Sequence, residues 1–167
     1  QETIHFSAEG TLEFTALLYL PKKSGMDLYD PSRAKSKVSL YVKRVLIQPE
    51  CEDLLPSWLR FVRGVVESSD LPLNVSRETL QDNPRVKQIQ KRLVKKSVET
   101  MSSMLENDRE AYEEFWSQFG PVIKEGIHSG DGSGIVASSF RVLRSLISRL
   151  EDPETGVIKG EDFSVEI

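Results

Sequence analysis

The chain has 167 residues, 38% of them apolar and 29% charged, with a formal net charge of -4. That composition supports one domain, or one domain with an appendage, and argues against wholesale disorder. It also excludes several classes: a net acidic chain is a poor nucleic-acid binder as a whole, no apolar run approaches the roughly 18 to 20 residues that cross a bilayer, and a single cysteine, Cys51, rules out an internal disulfide or a cysteine-rich zinc site.

The first residues, Gln1-Glu2-Thr3-Ile4-His5, lack the basic start and apolar stretch of a secretory signal and carry no initiating Met, so the sequence reads as a segment cut from a longer chain. Leu12, Phe14, Ala16 and Leu18 alternate with Thr11, Glu13, Thr15 and Leu17, which predicts a strand with one apolar face, closed by Pro21. Residues 22–37 mix Gly25, Pro31, serines and lysines and read as a surface excursion. A second strand is expected over residues 38–47. Its apolar phase shifts from Val38, Leu40 and Val42 to Val45 and Ile47, which suggests a bulge or burial on both faces.

Leu54, Leu55, Trp58, Leu59 and Val62 recur at helical spacing, with Pro56 in the first turn and Gly64 ending the helix; Val65 and Val66 follow as a short strand. Residues 68–74 read as a loop, and Ser76 as the N-cap of a short helix over residues 77–81. Beyond Pro84, the stripe Val86, Ile89, Leu93, Val94, Val98, Met101 and Leu105 predicts a long amphipathic helix. Asn107 and Glu110 look like a capping box, opening a helix whose aromatic stripe, Tyr112, Phe115, Trp116 and Phe119, reads as core and which Gly120-Pro121 breaks or kinks. The run Gly130-Asp131-Gly132-Ser133-Gly134 reads as a joint before a last amphipathic helix through Val136, Phe140, Leu143, Ile147 and Leu150, stopped by Asp152-Pro153. Strands first and helices later predict an α+β fold, or a two-layer α/β unit with a helical extension.

Chemistry-bearing patterns are few. The glycine run lacks the G-K-[ST] ending of a P-loop, no G-x-S-x-G occurs, and His5 and His128 stand in no metal-ligating spacing, so no metal site is expected. Arg85, Lys87, Lys91, Arg92, Lys95 and Lys96 place six bases and no acid in twelve residues, but no aromatic lies among them to stack a nucleic-acid base. A solvated helix face is the plain reading. An interface for an acidic or nucleic-acid partner is the alternative. Arg77 is the unusual residue, because a cation in the first turn of a helix opposes the positive end of the helix dipole unless an anion lies nearby. Free N-H groups at a helix start together with a guanidinium fork suit phosphate oxygens, while pairing with Asp70 or Glu78 is the plain alternative. Gln81 follows one turn later on the same face.

The run Leu59-Arg60-Phe61-Val62-Arg63-Gly64-Val65-Val66-Glu67-Ser68-Ser69-Asp70-Leu71-Pro72-Leu73-Asn74-Val75-Ser76-Arg77-Glu78 resembles the signature of the middle domain of the ninety-kilodalton heat-shock protein chaperones. Glu9-Gly10-Thr11-Leu12-Glu13-Phe14, Leu40-Tyr41-Val42-Lys43-Arg44-Val45, Phe115-Trp116-Ser117-Gln118-Phe119-Gly120 and Lys124-Glu125-Gly126 support it, and the resemblance extends from about Phe6 to His128. It implies a three-layer α-β-α unit of the ribosomal protein S-five domain 2-like type over residues 1–128. A linker, an amphipathic helix and a tail follow over residues 129–167.

The resemblance further implies a dimeric, ATP-driven, stress-response chaperone. In it a separate N-terminal domain holds ATP with Mg, a C-terminal domain dimerises, and the middle domain meets client proteins and co-chaperones. Arg77 would reach the ATP γ-phosphate and Gln81 would sit beside it in the same loop, so these residues contribute to the ATPase of the full-length protein while the domain alone is expected to hold no nucleotide and to be inactive. Neither nucleic acid nor membrane is implied as a partner. Met26 stands where many family members place an aromatic against that loop. The motif Leu55-Pro56-Ser57-Trp58-Leu59-Arg60-Phe61 is similar to mitochondrial members and leans the compartment that way, with a bacterial cytoplasm as the alternative.

Overall fold

The computed structural model describes residues 2–25, 28–29, 36–73 and 77–128, and for residues 77, 78, 127 and 128 the backbone alone. The joint at Gly130 to Gly134, the last amphipathic helix, Met26 and the Ser76 cap lie outside the described residues. Five strands, β1 (Glu2–Ala8), β2 (Phe14–Leu20), β3 (Lys37–Val42), β4 (Val45–Gln48) and β5 (Arg63–Ser68), form one sheet in the order β1-β2-β5-β3-β4. β5 pairs antiparallel with β2 and parallel with β3, so the sheet is mixed. Three helices, α1 (Arg77–Gln81), α2 (Pro84–Asn107) and α3 (Arg109–His128), follow. The α+β class holds. Among the described residues one face of the sheet is covered, with α2 against β1 and α3 packed on α2 and on residues 57–59.

That face carries Ile4, Phe14, Ala16, Leu18, Leu20, Val38, Leu40, Val42 and Val66, all buried, and it meets the α2 stripe from Val86 to Leu105, which is buried at every position the periodicity named. The α3 aromatics complete the interior: Phe61 stacks edge-on against Phe115 and tilts against Phe119, with centroids 5.7 and 4.8 Å apart. The predicted strand through Leu18 is β2. The strand β1 was not predicted, although Ile4, Phe6 and Ala8 alternate and pair with β2 from Glu2 opposite Leu20 to Ala8 opposite Phe14.

Four expectations need correction. The strand over residues 38–47 is a hairpin, β3 and β4, turned by Lys43 and Arg44 at φ of 49° and 66°. Both values are positive, as a two-residue hairpin turn requires. Lysine and arginine adopt them rarely, so the turn carried no sequence signal; Arg44 N-H bonds Glu67 Oε1 at 3.1 Å and Lys43 N-H bonds the Ser68 carbonyl at 3.3 Å. The phase shift marks this turn together with a register break between Leu40 and Tyr41.

The helix expected through residues 52–62 is two short 3-10 turns, Glu52–Leu54 and Ser57–Leu59, because Pro56 has no N-H to continue the first. Gly64 does not end a helix. It lies inside β5 at φ 149°, where a Cβ would stand 2.1 Å from the Leu17 carbonyl oxygen on β2, so only glycine fits.

Gly120-Pro121 does not break α3, which runs on to His128 with Pro121 inside it. An internal proline costs about 3 kcal/mol, but Tyr112, Phe115, Trp116 and Phe119 before it and Val122 and Ile123 after it are all buried and anchor the helix on both sides of it. The cap is also shifted by one residue, since Asp108 Oδ1 accepts the Ala111 N-H at 3.1 Å whereas Asn107 turns back to Ser103.

Candidate functional site

The site predicted from sequence is an excursion thrown out where the central strand β5 ends. Its near foot is tied down by a small polar network. Ser68 Oγ donates to the Glu13 carbonyl at 2.9 Å and accepts the Asp70 N-H at 3.3 Å, and the Asp70 carboxylate accepts the Glu13 N-H at 2.6 Å. Leu71 is buried next to it. The chain then reaches α1, which starts at Arg77; the Arg77 side chain lies outside the described residues, so the structure gives the arginine's place in the backbone and no more.

The far foot is anchored by Leu80, which is buried, and by a tight junction between helices. Asn83 N-H bonds the Leu80 carbonyl at 3.1 Å while Asn83 Oδ1 caps α2 by accepting the Arg85 N-H at 2.9 Å, with Pro84 in the first turn where its missing N-H costs nothing. The Arg85 guanidinium crosses back to the Asp70 carbonyl, joining the two feet. Gln81 is exposed at the end of α1. α1 is only five residues long, so its dipole adds less to anion binding than a full helix would.

The basic face of α2 is partly neutralised. Lys96 and Lys95 lie 3.0 and 3.7 Å from Glu99 and Lys87 lies 3.4 Å from Asp82, whereas Arg85 donates to the Asp70 backbone carbonyl, which holds the guanidinium without cancelling its charge. Lys91 and Arg92 remain exposed.

A second cluster, missed at the sequence level, sits where the chain enters β5. Arg60, only 8% exposed, forks onto Glu125 at 2.6 and 2.9 Å and also donates to the Leu28 and Ser57 carbonyls. This partner holds the Glu125 carboxyl below its usual range, chiefly through the hydrogen bond. The neighbouring Gly126 receives the Trp58 indole so closely that a Cβ would lie 2.7 Å from its ring. The Lys124-Glu125-Gly126 motif thus serves to seat residues 57–60. From the same helix, Gln118 accepts the Ser24 N-H with its side chain and the Tyr29 hydroxyl with its carbonyl, both at 2.7 Å, fastening two points in the first half of the excursion that follows β2.

Among the described residues no three His, Cys, Asp or Glu side chains gather to hold a metal, and no helix is long and apolar enough to cross a membrane. A surface cavity of about 280 Å³ is lined by Glu9, Glu13 and Glu67 with Ser7, Thr15 and Ser69. Three carboxylates there oppose a triphosphate, so this cavity does not suit a nucleotide.

This arrangement, a mixed sheet backed by two long helices with a short arginine-bearing helix at the end of its central strand, is that of a heat-shock chaperone middle domain. The solved middle domain of a Plasmodium falciparum heat shock protein matches it with a TM-score of 0.69 and 26% identity, over 86% of this chain and 52% of that one. The chain belongs to the Hsp90 protein family, whose profile matches residues 1–134. Similar proteins include the chaperone HtpG of Geobacter sulfurreducens, 58% identical over 127 residues, 76% of this chain and 19% of that protein. Heat shock protein 83 of Leishmania donovani is 50% identical over 149 residues, 89% of this chain and 33% of that protein. The chain therefore spans about a fifth to a third of the length of these relatives.

Proposed function

We propose that this domain completes the ATPase site of a chaperone whose nucleotide is bound, with its magnesium, by a separate N-terminal domain. Arg77 reaches the γ-phosphate and Gln81 stands beside it, while the domain alone neither holds nor hydrolyses ATP. The supporting observation is the placement of Arg77 and Glu78 in the first turn of α1, on an excursion whose two feet are tied to the sheet and to α2. A guanidinium so placed stabilises the charge that develops as the phosphoryl group transfers, which lowers the barrier without tightening ground-state binding. Residues 1–128 form this unit and residues 129–167 a linker with an amphipathic helix. Client proteins, co-chaperones and a dimerising C-terminal domain are its proposed partners, and the bacterial relatives favour a bacterial cytoplasm over the mitochondrion. Binding of an acidic or nucleic-acid partner by α2 is the weaker reading, because four of the six bases already have partners within the domain.

The test is single-turnover ATP hydrolysis by the full-length protein carrying Arg77→Ala, with ATP affinity measured in parallel. Hydrolysis is expected to slow with affinity unchanged, and Arg77→Lys to be impaired as well because an ammonium lacks the planar two-point contact. Arginine fingers contribute roughly a thousandfold or more in GTPases, and slow domain closure would mask part of such an effect. An unchanged rate would remove Arg77 from catalysis.

A further inference from the structure

We propose that Asp70 is a positioning residue for Arg77, an inference that rests on the γ-phosphate role given to that arginine. Asp70 bonds both neighbours of the excursion: its carboxylate accepts the Glu13 N-H in the loop between β1 and β2 at 2.6 Å, and its carbonyl accepts the Arg85 guanidinium from the first turn of α2. Ser68 locks this acid from behind by accepting its N-H and donating to the Glu13 carbonyl. One bond fixes where the excursion leaves the sheet. The other closes residues 70–85 into a loop whose ends are held together, with Leu71 and Leu80 buried just inside each end. The start of α1 lies inside this closed loop. A reactive group displaced by about 1 Å can lose a hundredfold in rate, so a brace that narrows its range acts on the chemical step and not on ATP affinity. The carboxylate makes no other hydrogen bond among the described residues, so its fit to the Glu13 amide is its whole structural duty there.

Full-length protein carrying Asp70→Ala is expected to hydrolyse ATP more slowly in a single turnover, by up to about a hundredfold, with ATP affinity unchanged. Asp70→Asn keeps an oxygen acceptor for the Glu13 N-H and should recover most of the rate. In the Arg77→Ala background, Asp70→Ala should slow the reaction no further, because a residue that acts through Arg77 has nothing left to position. If Asp70→Ala does not fold, Arg85→Met, which removes only the donor to the Asp70 carbonyl, replaces it in the same comparison. Slow Arg77→Ala with normal Asp70→Ala and Arg85→Met would overturn this inference and leave the role of Arg77 intact. Normal Arg77→Ala would overturn the γ-phosphate reading itself. Additive losses in the double variant would make Asp70 a general support of the fold and overturn the inference.

Discussion

The α2–α3 interior and the Arg77 excursion are neighbours in sequence and opposites in physics. In the interior the α2 stripe and the α3 aromatics are fully covered, and each side chain is held by many contacts, none of which matters alone. The excursion is held by two buried leucines and a handful of hydrogen bonds, each of which fixes a particular atom. Stability is therefore stored in one region and geometry in the other. Substitutions should separate the two: interior variants move the melting point, and excursion variants move the rate.

The contrast breaks most sharply at α2. Leu93→Ala should destabilise the domain by about 2 to 5 kcal/mol, since it empties a fully buried site that the helix and sheet cannot close. Lys91→Ala, two residues away and exposed, should stay within about 0.5 kcal/mol. Urea melts of the two variants would show the stripe to be misassigned if they ranked in the opposite order.

A smaller effect is expected at the Arg60–Glu125 pair. The folded-state pKa of Glu125 is lowered, so the pair adds stability above the carboxyl's ordinary range and loses it as pH falls through the lowered value. Because Glu125 is 51% exposed, solvent screening limits the contribution to less than about 1 kcal/mol. Glu125→Gln should flatten that part of the acid unfolding curve and lower stability at neutral pH by up to that amount, since the pair is intact there in the native protein. A curve that kept its full slope would mean that the acid limb is set elsewhere.

The smallest change should come from Tyr112→Phe. The Tyr112 hydroxyl is buried without a partner among the described residues, and burial pushes its pKa well above the usual phenol range. Removing a buried polar group that bonds nothing forfeits no interaction and relieves desolvation, so the melting temperature should hold or rise. A clear fall would reveal a partner for that oxygen.

The two regions also differ in how well the sequence discloses them. The α2 stripe and the alternation of Leu12, Phe14, Ala16 and Leu18 are local periodicities, and the structure buries every one of those residues. The loop over residues 68–74 and the short helix over residues 77–81 were legible from local signals, and the role of Arg77 only through the resemblance of its motif. The excursion's support was not, because Asp70 and Glu13 meet across 57 positions, and Arg60 and Glu125 across 65, with no spacing rule to announce either pair. The errors have the same origin. Lys43 and Arg44 turn a hairpin without glycine or asparagine because the Glu67 carboxylate and the Ser68 carbonyl receive their N-H groups. Pro121 rides inside α3 because packing on both sides outweighs the local preference.

The strand order β1-β2-β5-β3-β4 has a kinetic meaning. Two hairpins, β1 with β2 and β3 with β4, close over short stretches of chain and can assemble early. β5 comes last in sequence yet must slot between them, pairing antiparallel on one side and parallel on the other. The sheet stays split until that insertion, and the Glu13 loop against which Asp70 rests belongs to the first hairpin. During synthesis the arginine-bearing segment consequently acquires its address only when the central strand has zipped the two halves together. A partly folded domain would therefore offer α1 no fixed place on the sheet.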